Sequence, residues 1–82
     1  MTDNSRNVLE FLQPRAKIAD FTAKQIADEL GISSRSANAT ITFGLVKKGL
    51  AYREEGEKNG EKVKFIKLTE EGYTFDPDSD EE

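Results

Sequence analysis

Between Thr22 and Arg53 the helix start and stop signals fall so close together that only short helices fit between them. Thr22 and Gln25 stand at the spacing of a capping box, in which the Thr hydroxyl takes one orphan N–H and the Gln amide reaches back to another. Phe21 and Ile26 occupy the two positions of a hydrophobic staple around that cap. Ile26, Ala27 and Leu30 form one apolar face, and Gly31 follows at once, where the chain needs a left-handed residue to leave the helix. Ser33 or Ser34 caps the next helix, with Ile32 packed ahead of the cap. That helix is predicted to run to about Lys48 and to stop at Gly49.

The flanks complete the layout. Asn4 or Ser5 is expected to cap a first helix, whose Val8, Leu9, Phe11 and Leu12 make a stripe at helical spacing. Pro14 ends it by disfavouring helical geometry at Gln13. Ala16–Phe21 reads as a connector with Ile18 and Phe21 turned inward and room for a short strand. Leu50–Glu54 and Val63–Leu68 are strand-like, and Asn59-Gly60 between them is a strong type I′ hairpin signal. Period-2 alternation turns Ile66 and Leu68 to the helices and Val63 and Phe65 to the other face, over which Tyr73 and Phe75 are expected to fold. The expected class is α+β: a winged helix over residues 1–75, with a three-helix helix-turn-helix core and a C-terminal β-hairpin wing.

Eighty-two residues suffice for one small domain. The absence of Cys, His and Trp excludes disulfides, thiolate chemistry and His-containing metal sites, and no spaced Asp motif supports a carboxylate ion site; no metal or cofactor is expected. No apolar run approaches the roughly 20 residues that span a bilayer, and the N-terminus lacks the pattern of a signal peptide. A cytoplasmic protein is expected, at the nucleoid or, for a viral protein, in host cytoplasm. The net charge of −4 is unevenly placed: residues 76–82 carry five carboxylates and no base, leaving 12 basic against 11 acidic residues over positions 1–75. Such a like-charge block is expected to be a disordered tail.

On the third helix, a 100° step gathers Ala37, Ile41, Leu45 and Lys48 on the buried side. In its N-terminal half the free arc holds Arg35, Ala39 and Thr42, with Ser34 and Asn38 at its border, all small or polar. These types suit a DNA major groove: Arg bridges guanine O6 and N7, Asn bridges adenine N6 and N7, and Ala and Thr methyls meet the thymine methyl. Ser33 and Ser34, with the helix N-terminal amides, can hold a phosphate. A plain solvated helix face is the alternative. Phe43 and Val46 on the same arc are candidates for a partner interface, unless a small rotation takes Phe43 into the core. In the wing, EEGEKNGEK has four Glu and two Lys, yet Arg53, Lys58, Asn59 and Lys62 are placed to reach a DNA backbone.

The run IADELGISSRSANATITFGLVKKGLAYRE resembles winged-helix transcription regulators of the MarR kind, in which a Gly turn precedes the recognition helix and an L-x-K-K-G-L-x-x-R run leads into the wing. The ending IKLTEEGYTF is similar to the L-T-x-x-G that closes the wing in those proteins. The resemblance spans about Thr22–Tyr73. It implies sequence-specific binding of double-stranded DNA, typically by homodimers, with contacts carried onto Ser34, Arg35, Asn38 and Thr42. The D-x-R wing motif of the family is replaced by Asn59-Gly60-Glu61-Lys62, and no segment after Phe75 offers a dimerisation helix.

The leading expectation is therefore a small DNA-binding transcriptional regulator, with a phage or mobile-element origin left open. The competing one is a winged-helix protein-interaction module with weak or no DNA binding, docking a protein partner through Phe43 and Val46. A small-molecule effector pocket cannot be argued. An enzyme is not expected, because catalysis without His or Cys needs paired carboxylates or an activated Lys in a cleft, and Glu54-Glu55 and Glu70-Glu71 read as solvated charge in turns.

Overall fold

A computed structural model describes residues 3–76; the segment from residue 77 onward, expected above to form most of an acidic tail, lies outside the described residues. Helix α1 (Asp3–Leu12) leads through a series of turns to β1 (Phe21–Thr22), α2 (Ala23–Leu30) and α3 (Ser34–Thr40). The third helix continues as a π-helical segment (Ile41–Val46), followed by β2 (Ala51–Lys58), β3 (Glu61–Leu68) and α4 (Glu70–Thr74). The three strands form one antiparallel sheet in the order β1-β3-β2, with Phe21 opposite Ile66 and Ala51 opposite Leu68. This is a winged helix, with the β2–β3 hairpin as the wing.

The punctuation signals sit where local physics requires them. Thr22 accepts the Gln25 N–H at 3.2 Å while the Gln25 side chain accepts the Thr22 N–H at 3.0 Å, so the capping box is complete. Gly31 takes a left-handed φ of 71°, and its N–H and that of Ile32 both reach the Ala27 carbonyl. Ser33 rather than Ser34 is the second cap, accepting from the Ser36 N–H at 3.0 Å. At the wing tip Asn59 and Gly60 both have positive φ, 55° and 81°, as a type I′ turn demands.

The core is built from Val8, Leu9 and Leu12 of α1, Ile26 of α2, Ile41 and Leu45 of the third helix, and Ile66 and Leu68 of β3, all buried. Each such side chain contributes about 1.5–3 kcal/mol relative to exposure. Helices and sheet thereby share one core, and the third helix is anchored in it through Ile41 and Leu45.

Several expectations are corrected. Neither Asn4 nor Ser5 caps α1: the helix already includes Asp3, and Ser5 is its third residue, buried where α1 crosses the third helix. A β-carbon on Gly44 would lie 2.0 Å from Ser5 Oγ, so the crossing depends on a bare glycine backbone. Ile18 points outward, 82% exposed, while Ala16 takes the inward position, because turns closed on Leu12 and Arg15 carbonyls replace an extended connector. Lys48 is exposed rather than buried. The i→i+5 bond from the Lys47 N–H to the Thr42 carbonyl widens the turn, and the Gly49 exit follows, together carrying Lys48 off the core side and Val46 onto it.

Both strands are longer than expected, because the Asn59-Gly60 turn lets the ladder run from Ala51↔Leu68 to Lys58↔Glu61 without a break. Glu70-Glu71 opens a short helix instead of a turn. Its cap is Thr69, which accepts from the Gly72 N–H and donates to the Gly49 carbonyl at 2.7 Å. Tyr73 and Phe75 consequently pack on the helical core, and the Gln13 amide donates to the Gly72 and Phe75 carbonyls at 2.9 and 2.7 Å.

Candidate nucleic-acid interface

The exposed part of α3 is short and dense in polar groups. Ser33, Ser34, Arg35, Asn38 and Ala39 are all exposed, and Ala37 between them is fully buried. That alternation arises because α3 packs on α1 and α2 through its small residues, leaving a narrow side-chain layer on the outside. Ser33 spends its acceptor on the cap but keeps its O–H to donate. Thr42 is half-buried in the π-helical segment, so its methyl and hydroxyl are less accessible than those of the first turn.

Arg53 joins this surface from the wing. Its position opposite Ile66 in the ladder turns it to the helix side of β2. Its Nη2 donates to Asn38 Oδ1 at 3.2 Å, and Asn38 Nδ2 donates to the Ser34 carbonyl at 3.0 Å. Ser34, Asn38 and Arg53 thus form one connected chain from the helix N-terminus to the wing base. Sequence reading named all three and missed the link between them, because the strand register that creates it is not visible in local patterning.

The rest of the wing sets opposite charges against each other across the ladder. Glu55 faces Lys64, Glu57 faces Lys62 and Lys58 faces Glu61 across the ladder, the arrangement in which opposite charges stabilise a strand pair. Lys62 and Asn59 are exposed and Lys58 is half-buried. Asn59 also carries a structural duty at its positive φ. On the opposite sheet face Lys67 bonds Asp20 and lies 3.8 Å from Glu54, tying the start of β1 to β2 and β3. The hydrogen bond to Asp20 is the main reason the Lys67 ammonium is held above its ordinary pKa, against a smaller opposing effect of burial.

Phe43 and Val46 separate. Val46 packs against the core, whereas Phe43 stays 63% exposed with the Lys47 ammonium 5.1 Å above its ring. Among the described residues no group of three His, Cys, Asp or Glu is placed to hold a metal ion, and no helix is long and apolar enough to cross a membrane.

Comparison with solved structures finds the same fold in two proteins described as transcription regulators. The chain is similar to MepR, a transcription regulator of the Staphylococcus aureus multidrug efflux pump MepA, with a TM-score of 0.75 and 23% identity over 89% of its length. It is likewise similar to NMB1585, a MarR family regulator from Neisseria meningitidis, with a TM-score of 0.69 and 23% identity over 89% of its length. The chain spans about half of each of those proteins, 50% and 48% respectively. No family model and no curated protein matches it. The winged-helix fold, in the form seen in MarR-type regulators, is thereby established.

Proposed function

We propose that this protein is a sequence-specific reader of double-stranded DNA acting in transcriptional regulation, with the exposed first turns of α3 set in the major groove. The observation that carries the reading is the continuous surface of Ser34, Arg35, Asn38 and Ala39, exposed on a helix whose opposite side is clamped into the core and flanked by the Arg53 guanidinium. Arg35 supplies the guanine-type fork, and Ser33, Ser34 and the α3 amides supply phosphate contacts. The two similar structures named above are described as regulators, which supports the reading.

The test is selection of bound sequences from a random duplex pool, followed by titration of the enriched duplex against salt. A defined site whose affinity falls steeply with salt, and falls further in Arg35→Ala, is the expected result. No enrichment and no binding at about 50 mM salt, where backbone attraction is strong, overturns it. A palindromic site indicates a homodimer and a single half-site a monomer.

A second reading is favoured by one observation, the exposed Phe43 ring on a chain of net charge −4. A winged helix with little DNA affinity would use that ring to dock a protein partner, and the same titration separates the two.

A further inference from the structure

The sequence reading gives Asn38 the role of an adenine reader, and the geometry around it argues otherwise. A bidentate grip on adenine needs the carbonyl and amide ends of the side chain free together on one edge. Here the carbonyl end accepts from the Arg53 guanidinium at 3.2 Å, and the amide end donates back to the Ser34 carbonyl at 3.0 Å, so both ends are already engaged within the protein. Arg53 by contrast is only lightly used. Asn38 is its hydrogen-bond partner, and among the described residues no carboxylate lies within ion-pair distance of it. A guanidinium held by a neutral carboxamide keeps its full charge and most of its five N–H donors.

We infer that Asn38 is a positioning residue that holds the Arg53 fork at the edge of the recognition helix, and that Arg53, not Asn38, makes the contact to the nucleic acid. The target of such a fork is a planar pair of acceptors, found on the guanine O6/N7 edge and on a phosphate. This rests on the proposed DNA-reading function and assigns a role within it. The two residues come from elements 15 positions apart in sequence, so the pair also couples the orientation of the wing to that of the helix.

The deciding experiment compares the parent chain with Asn38→Ala, Arg53→Ala and the double variant, by duplex selection and by salt-dependent titration. The expected result is that both single variants share one phenotype, and that the double variant is no more than about twofold worse than either. If the acceptor pair is a guanine edge, both singles lose preference at the same base position, with affinity falling on the order of tenfold. If it is a phosphate, both keep all base preferences and flatten the log–log salt slope by about one. Loss of preference at different positions in the two variants, or costs that multiply in the double variant, overturns the inference while leaving the DNA-reading function standing. A parent chain that selects no sequence overturns both.

Discussion

Gly44 and Ser5 meet at the crossing of the third helix and α1, so closely that an added β-carbon on Gly44 would sit 2.0 Å from Ser5 Oγ and 2.9 Å from Ser5 Cβ. Alanine is the better helix former by about 1 kcal/mol, so propensity alone would make Gly44→Ala stabilising. Overpacking wins here, because Ser5 is buried on a helix that cannot retreat from Leu45 and Ile41 without opening the core. Gly44→Ala is expected to lower stability by about 1–3 kcal/mol in urea unfolding. Adding Ser5→Ala, which removes the nearer of the two clashing atoms, is expected to recover part of that loss; full additivity of the two costs would show that the crossing is not the cause.

The capping box at Thr22 is both the start of α2 and the end of β1. Thr22→Ala leaves the Gln25 N–H without its side-chain acceptor and is expected to cost about 1 kcal/mol, with Thr22→Ser close to the parent. Equal urea midpoints for the parent and the Ala variant would show that β1 alone sets the start of the helix.

Most of the frame is legible in the sequence because it rests on local signals. Thr22, Gln25, Gly31, Gly49 and Asn59-Gly60 act within a few residues of themselves, and period-2 spacing was enough to bury Ile66 and Leu68. What escaped reading depends on contacts distant in sequence. The burial of Ser5 follows from Gly44, nearly forty positions away, and the inward turn of Tyr73 and Phe75 follows from Gln13. The outward Ile18 had no local marker, since an Ile in a connector reads the same whether it is buried or not. At the candidate site, the individual residues of α3 were legible from helical phase, but the Asn38–Arg53 bond needed the β2–β3 register.

Phe43 and Val46, three positions apart on one helix, should respond in opposite ways to truncation. Phe43→Ser removes a mostly exposed ring and its contact with Lys47, and stability is expected to change by no more than about 0.5–1 kcal/mol. Val46→Ser puts a hydroxyl against the core and is expected to cost more than that. Thermal or urea unfolding of the two variants side by side checks the difference, and a large loss in the Phe43 variant would mean that the ring is covered in the folded protein.

Lys67 offers a pH-dependent test. Its ammonium pKa is raised by Asp20, so the charged form is favoured in the folded chain. The associated stability is fully present below the ordinary lysine value of 10.5 and is lost as pH climbs through the higher folded value. Lys67→Met is therefore expected to be less stable than the parent by up to about 1 kcal/mol at pH 7, with the gap narrowing in high salt. The gap should narrow again above the raised value, and a difference that persists unchanged there would assign the effect to lost packing of the lysine stem.

The wing gives the sharpest test of how far the DNA surface extends. Lys62 stands opposite Glu57 in the ladder, so a carboxylate neighbours the lysine and weakens the attraction it can offer a phosphate. On the proposed DNA-reading function, Lys62→Gln should leave the salt slope of binding nearly unchanged, whereas Glu57→Gln should remove the negative charge beside the lysine and steepen the log–log slope by about 0.9, one added phosphate contact. Affinity at low salt should rise with it and base preferences should not move, because a phosphate contact carries no sequence information. Should Lys62→Gln itself flatten the slope by about one, the lysine already reaches the backbone in the parent, and the recognition surface runs to the wing tip instead of ending at Arg53.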